Sequence, residues 1–371
     1  MPKKPPHPRM SLFAEEEKET QIRSIEEQIK VHEKSIDFFI TDFTIEILVR
    51  KLETGDYFIP PYQRKNIWEP HRKSKFIESI LIGLPIPFLF FWQDPNTGNM
   101  EVVDGAQRLT SLKEFINNEL KITKLEKLTE INDLTFADLL TSRQKIFLNK
   151  PIRGVVLSSK TDKEARLDLF ERLNTGSKNA SPAEVRRGLL QGPFYSMIEE
   201  LSKDPTFNDL AKISKQMQDM AEREEFITRF FAYGEDLENY NADVRKFIFN
   251  YTDKMNQQFA ENPKLQQRYE DRFHKIMGFF KDKYPIGFKK DGKGQSSRTR
   301  FEGMAISTLI AERQYPGILN LITVQDCIDV FDSKDFSDTT GSDGANANKK
   351  LSARLSFAKD KFVEKYSDAV S

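Results

Sequence analysis

The chain has 371 residues, 38% of them hydrophobic and 31% charged, and its 57 basic and 57 acidic side chains cancel. A zero balance excludes a global positive field for nucleic acid, so any contact with phosphates must use local patches. One cysteine, Cys327, excludes an internal disulfide framework and fits a reducing cytoplasm, and the isolated His7, His32, His71 and His274 offer no Cys/His zinc pattern.

The opening MPKKPPHPRM is proline-rich, and residues 1–12 are expected to lack fixed structure. Residues 13–36 read as a charged helix on which Ile22, Ile25, Ile29, His32 and Ile36 recur at heptad spacing. The stripe is too short for a coiled coil. The helix is therefore expected to pack against its own domain, with a partner or dimer contact as the alternative. No charged-then-apolar leader opens the chain. The longest apolar run, SILIGLPIPFLFFW at 79–92, is broken by Gly83, Pro85 and Pro87 and is too short for a bilayer. Export and membrane insertion are not expected; a cytoplasmic location is.

Between 40 and 160 the pattern is mixed. FTIEILVRKLETG reads as a helix stopped at Gly55, and YFIPPYQRKNIW as a bend fixed by Pro60 and Pro61. HRKSKFIESILIG is an amphipathic helix ending at Gly83. PFLFFWQD and NMEVVD read as buried strands joined by the turn PNTG. A helix over 105–118 and a strand, PIRGVVL at 151–157, follow. Interleaved strands and helices with a hairpin predict a small α+β sheet, not a long parallel one. Beyond 160 helical patterns cover 162–173, 182–190, 194–202, 222–237, 243–260, 264–283, 299–313 and 350–367. Loops rich in Gly, Ser, Asp and Lys are expected at 286–297 and 332–350.

The stretch VVDGAQRLTS at 102–111 carries chemistry. Asp104 and Gln107 stand three apart and fit a capping box, while Leu109, Leu112, Phe115 and Ile116 form one apolar face. A cap does not account for Arg108, whose charge in the first turn opposes the helix dipole unless an anion offsets it. Gly105 lets a ligand approach the backbone, and first-turn amides favour a phosphate. Asp104 beside them could hold a divalent cation, directly or through water. The pure cap and the phosphate site both fit these residues. A second glutamine–arginine pair, Gln63-Arg64 after Tyr62, stands at another element boundary, and the two arginines could converge on one anion.

Other stretches have blander readings. Asn174 and Gly176 follow a helix and suit either a left-handed cap or function. SPAE at 181–184 is a capping box with Pro182 in the first turn, which makes Glu184 structural; Arg186 and Arg187 are weaker ligand candidates. GFKKDGKG at 287–294 matches a phosphate-loop spacing but ends in Gly294 where Ser or Thr should bind magnesium. It is read instead as a solvated, mobile loop, with contact to a nucleic-acid backbone as the alternative. The 30 phenylalanines fall mostly at core spacings, as in EEFITRFFAY.

Three ordered motifs, IPPYQRKNIW, VVDGAQRLTSL and FERLNTGSKNASPAEVR, resemble those of the N-terminal domain of the GmrSD-type restriction endonucleases. That family's motifs read I-P-x-Y-Q-R-x-x-x-W, D-G-Q-Q-R-L and F-x-R-L-N-T, in this order. The resemblance covers roughly 40–190. It implies a ParB/sulfiredoxin-like sheet domain, here with its N-terminal helix over 13–190, followed by a mostly helical domain over 191–371. It also implies a role in defence against phage or modified foreign DNA. By resemblance Asp104, Gly105, Gln107 and Arg108 lead the site, Tyr62, Gln63 and Arg64 form its opposite wall, and Asn174 closes it. Ala106 stands where the family most often has glutamine, so that side chain's role is missing here. In fused members a separate HNH-type domain supplies the nuclease. His274 is the only histidine after His71, so no recognisable HNH set follows.

Three functions stay open. The first is binding, with or without hydrolysis, of a nucleoside triphosphate with magnesium or another divalent cation. Arg64 and Arg108 would neutralise phosphates, Gln107 or Gln63 would position water, and Asp104 would hold the metal or polarise that water. The second is a DNA-binding or regulatory module without catalysis, acting through 286–300 or through Arg72, Lys73 and Lys75. The third is a nuclease at the same site, for which no second carboxylate stands out. Expected partners are a nucleotide, DNA and a separate nuclease or defence protein, with oligomers allowed.

Overall fold

The computed structural model describes residues 8–33, 36–60, 68–95, 97–161, 163–173, 182–290, 293–341 and 347–367. Contacts divide the chain into two units, Met1–Asn179 and Ala180–Ser371. The first unit opens with helix α1 (Pro8–Glu33) and strand β1 (Phe38–Thr44). Helix therefore begins at Pro8, inside the segment expected to lack structure. Thr44 caps α2 (Ile45–Thr54) by accepting from the Ile47 amide, and the helix stops at Gly55, whose φ of +81° is the left-handed stop the sequence signals. There follow β2 (Tyr57–Phe58), α3 (Pro70–Ile82), β3 (Leu89–Gln93), β4 (Met100–Asp104), α4 (Ala106–Ile116), α5 (Thr141–Leu148), β5 (Pro151–Leu157) and α6 (Lys163–Leu173).

The five strands make one mixed sheet in the order β1-β5-β3-β4-β2. β1 with β5 and β3 with β4 run antiparallel; β3 with β5 and β2 with β4 run parallel. This is the small α+β sheet that the interleaved pattern predicts. Alternation assigns the faces: Phe91, Val102 and Val156 are fully buried in a core shared with Leu48, Ile77, Leu109, Leu112 and Phe115. On the opposite face Trp92 pairs across the strands with Glu101. There α6 lays the Arg166 guanidinium 3.4 Å from the Trp92 ring centroid, with Nη2 3.2 Å from Glu101 Oε2. The isoleucine stripe of α1 departs from expectation. Ile22, Ile25 and Ile29 are 45–49% exposed, so the stripe is not packed against its own domain, and the side chain of His32 lies outside what is described.

The second unit is helical: α7 (Pro182–Leu189), α8 (Pro193–Leu201), α9 (Pro205–Leu210), α10 (Lys215–Asp219), α11 (Glu222–Glu235), α12 (Val244–Glu261) and α13 (Leu265–Lys283). A hairpin of β6 (Lys289–Lys290) and β7 (Lys293–Ser296) intervenes before α14 (Arg298–Phe301), which continues through a π turn at Glu302–Ile306 into α15 (Ser307–Gln314). The last helices are α16 (Val324–Phe331), α17 (Lys334–Thr339) and α18 (Asn348–Tyr366). Short α9, α10, α16 and α17 escaped the periodicity reading, because one or two turns show too few repeats. The stretch expected as a mobile loop at 286–297 is tied down: the Phe288 amide donates to Leu210 O at 3.0 Å, and the Ser296 amide to Lys212 O at 2.8 Å. Phe194, Phe226, Phe230, Phe231, Phe273 and Phe301 are fully buried in its core, as their spacing predicts. Among the described residues no helix is long and apolar enough to cross a membrane.

This core also encloses charge. Arg229 Nε lies 2.6 Å from Glu225 Oε1 and its Nη1 2.7 Å from Glu302 Oε1, while Arg354 Nη2 lies 2.7 Å from Glu302 Oε2. Arg186 pairs with the other oxygen of Glu225. Cys327, on α16, is buried too, and burial pushes its thiol up to about 12. With so little thiolate, it is expected not to react with a thiol reagent at pH 8 in the native protein and to react fully in denaturant; stopped-flow titration with an aromatic disulfide reagent reads both.

Candidate functional site

Strand β4 ends at Asp104 and the chain turns at Gly105 into α4. Gly105 is the N-cap residue with φ +105°, and no side chain caps this helix. A Cβ at Gly105 would stand 2.3 Å from Leu89 Cδ2 and 3.3 Å from Arg108 Nη2, so both backbone and packing demand glycine. The capping box expected from Asp104 and Gln107 is not formed. Because the helix starts one residue later than that reading assumed, Asp104 precedes the cap and cannot serve the first-turn amides. Asp104 Oδ2 instead accepts from Arg108 Nη2 at 2.5 Å, and Gln107 Oε1 accepts from the Trp68 amide at 2.9 Å.

The anion that Arg108 requires is therefore in the chain itself. Its guanidinium pairs with Asp104 four residues earlier and also donates to the Pro87 carbonyl. Burial lowers the Arg108 pKa, and the Asp104 charge works against that shift. Arg108 is 9% exposed and already has two acceptors, whereas the Asp104 side chain keeps 32% of its surface open. Arg108 thus orients Asp104, and the open group at the turn is the carboxylate.

Of the other candidates, Tyr62, Gln63, Arg64 and Asn174 lie outside the described residues, as do Gly176 and Ser181. The Gln107–Trp68 bond nevertheless fixes the end of the YQRKNIW motif beside the start of α4. Trp68 meets Phe76 edge-on at 5.9 Å, and the Arg72 guanidinium lies 4.6 Å from the Trp68 ring centroid. Lys73 Nζ lies 2.6 Å from Glu114, tying α3 to α4. Of the Arg72, Lys73 and Lys75 set only Lys73 is withdrawn from the surface; Arg72 and Lys75 stay exposed. Arg186 and Arg187 also fail as ligand candidates: they pair with Glu225 and Glu224, and Arg186 is 3% exposed. Sequence reasoning missed the Pro87 carbonyl, Leu89, Trp68 and the Glu101–Arg166 pair. Only Trp68 had a signal, as the last residue of a motif.

Among the described residues no group of three or more His, Cys, Asp or Glu side chains could hold a metal ion. The donor set at the turn is one carboxylate. That fits magnesium, which keeps waters and takes one or two carboxylates plus substrate phosphates; it does not fit a cation held by protein ligands alone.

Residues 45–191 match the family model described as the GmrSD restriction endonuclease N-terminal domain. No curated protein and no solved structure matches the chain.

Proposed function

We propose, from the premise that residues 45–191 are a GmrSD-type restriction endonuclease N-terminal domain, that the β4–α4 turn binds a nucleoside triphosphate with a divalent cation in the service of defence against foreign DNA. One observation carries the reading. An eleven-residue helix begins without a side-chain cap or a first-turn acid, directly beside a carboxylate held in place by Arg108. The first-turn amides of α4 would take phosphate oxygens, with the positive end of the helix dipole behind them. Asp104 would offer its remaining oxygen to magnesium, with phosphate and water completing the shell. When bound, that ion would neutralise charge on the phosphates. Arg64 and Tyr62 would close the opposite wall with Asn174. The side-chain oxygen of Gln107 already holds Trp68, so Gln63 is the better candidate for positioning water. A ParB/sulfiredoxin-like fold for this domain is part of the same reading. DNA cutting, if this chain serves it, would fall to a separate nuclease partner.

Calorimetry on the full chain with each nucleoside triphosphate, with and without magnesium, tests this. Binding of at least one nucleotide is expected, weakened about tenfold or more (about 1.4 kcal/mol) in Asp104→Asn, read well below a melting temperature that itself falls because Arg108 loses its anion. Silence from every nucleotide with the wild-type protein, or undiminished binding by the variant, would remove the assignment.

A further inference from the structure

Among the described strands β1 ends the sheet, and it pairs with β5 along all seven residues from Phe38↔Leu157 to Thr44↔Pro151 without a register break. Sheet edges are normally guarded by lysine, proline or a bulge that turns away an incoming strand. The strand FFITDFT has none of these. Its acids do not guard it either: Asp42 is paired with Arg153 Nε at 2.9 Å, and upstream Asp37 accepts from Ser158 Oγ at 2.6 Å. Between those two acids Phe38, Phe39 and Ile40 are 54%, 47% and 55% exposed. Successive strand residues point to opposite faces, so this end of β1 is bare on both sides.

We propose that β1 pairs antiparallel with β1 of a second copy of this chain, extending the two sheets into one across a twofold axis at Phe39. An edge strand presents unpaired main-chain groups, which another strand can satisfy, and a twofold contact uses the same patch on both molecules. This register sets Phe39 against Phe39 of the second copy, and Phe38 against the second copy's Ile40. Asp42 then faces the second copy's Ile36. A register centred on Asp42 would instead oppose like charges, which cross-strand pairing disfavours. Ile36, just before the strand, is 40% exposed and lengthens the bare edge to four side chains. The four half-bare side chains at this edge, at roughly 90 Å² each, supply about 360 Å² per copy and about 720 Å² for two copies, the size of a weak contact that forms with rising concentration. In this register Asp37 faces Thr41 of the second copy, so no like charges are opposed, and a second copy is always available to the strand.

Sedimentation equilibrium on the full chain is expected to give twice the 43.1 kDa chain mass, and Phe39→Lys to give a single chain that melts at the wild-type temperature. Phe39→Cys gives a second readout that does not depend on the lysine variant folding. Opposed residues at a twofold axis bring their Cβ atoms within about 4.5–5.5 Å, close enough for an intermolecular disulfide after modest adjustment. Buried Cys327 keeps the background low. Oxidation should crosslink Phe39→Cys much faster than Lys203→Cys, placed on an exposed side chain of the second unit. A wild-type protein that stays a single chain at all concentrations, a folded Phe39→Lys that stays paired, or equal crosslinking of the two cysteine variants would each overturn the proposal.

Discussion

Replacing Glu302 with glutamine is expected to destabilise the helical unit by about 3–5 kcal/mol or more, enough to leave a large share of it unfolded at physiological temperature. Both oxygens of Glu302 are engaged, one by Arg229 Nη1 at 2.7 Å and the other by Arg354 Nη2 at 2.7 Å and Nε at 2.9 Å. The side chains of Glu302 and Arg354 are each 1% exposed and that of Arg229 6%, so water cannot replace the lost carboxylate. Glutamine keeps the shape and removes the charge, which leaves two guanidinium groups facing each other in a dry core. The connected series Arg186, Glu225, Arg229, Glu302 and Arg354 holds three cations against two anions, and losing Glu302 makes that three against one. Burial already pulls the Arg186 pKa down to about 10, so the network has little tolerance for added positive charge.

The double variant Glu302→Met/Arg354→Met separates a charge effect from a packing effect. It removes one cation with one anion, leaving Arg186 and Arg229 both paired with Glu225. Its cost is expected to fall several kcal/mol short of the sum of the single variants, because Arg354 and Glu302 go together and neither is left facing the other's gap, while Arg229 loses its Glu302 bond but keeps Glu225. Urea unfolding followed by circular dichroism gives the three values. Additive losses would mean that the two side chains act through separate contacts and that the network is not a unit.

How much of this was legible differs residue by residue. Gly55 and Gly83 announced the ends of α2 and α3, and each sits at the left-handed φ that makes glycine the stop. The apolar runs of β3, β4 and β5 were readable because one face of each is buried and the other is partly buried, so few polar residues break the runs. Strand β1 was not. FFITDFT runs straight into the apolar period of α2, and what makes it a strand is pairing with β5 more than a hundred residues later. The answer to Arg108 stood four residues away in Asp104, but assigning Asp104 to the cap hid the pair. The bonds that set the rest of the site, Gln107 to Trp68 and Arg166 to Glu101, span 39 and 65 residues and leave no local trace. The hairpin at 289–296 hid for a related reason: lysine and glycine signal a solvated loop, and main-chain bonds to Leu210 and Lys212 override them.

Gly105→Ala is expected to damage the candidate site more than any loss of a charged side chain there, because two independent costs meet at one atom. Holding alanine in the left-handed region costs about 1–2 kcal/mol. The added Cβ would also stand 2.3 Å from Leu89 Cδ2 in a side chain only 1% exposed, and overpacking of that kind costs about 1–3 kcal/mol. The same Cβ comes within 3.3 Å of Arg108 Nη2, so relief by movement would shift the guanidinium that holds Asp104. A fall in melting temperature and a weakening of any nucleotide binding should therefore appear together. Leu89→Ala alone should cost about 2–5 kcal/mol through the cavity it opens. In the double variant the methyl added at Gly105 enters that cavity, so the loss should be smaller than the sum by about the overpacking cost, while the backbone cost persists. Thermal melts of the three variants decide it. If the losses simply add, Leu89 is not what demands glycine here, and the left-handed turn alone sets the residue at the start of α4.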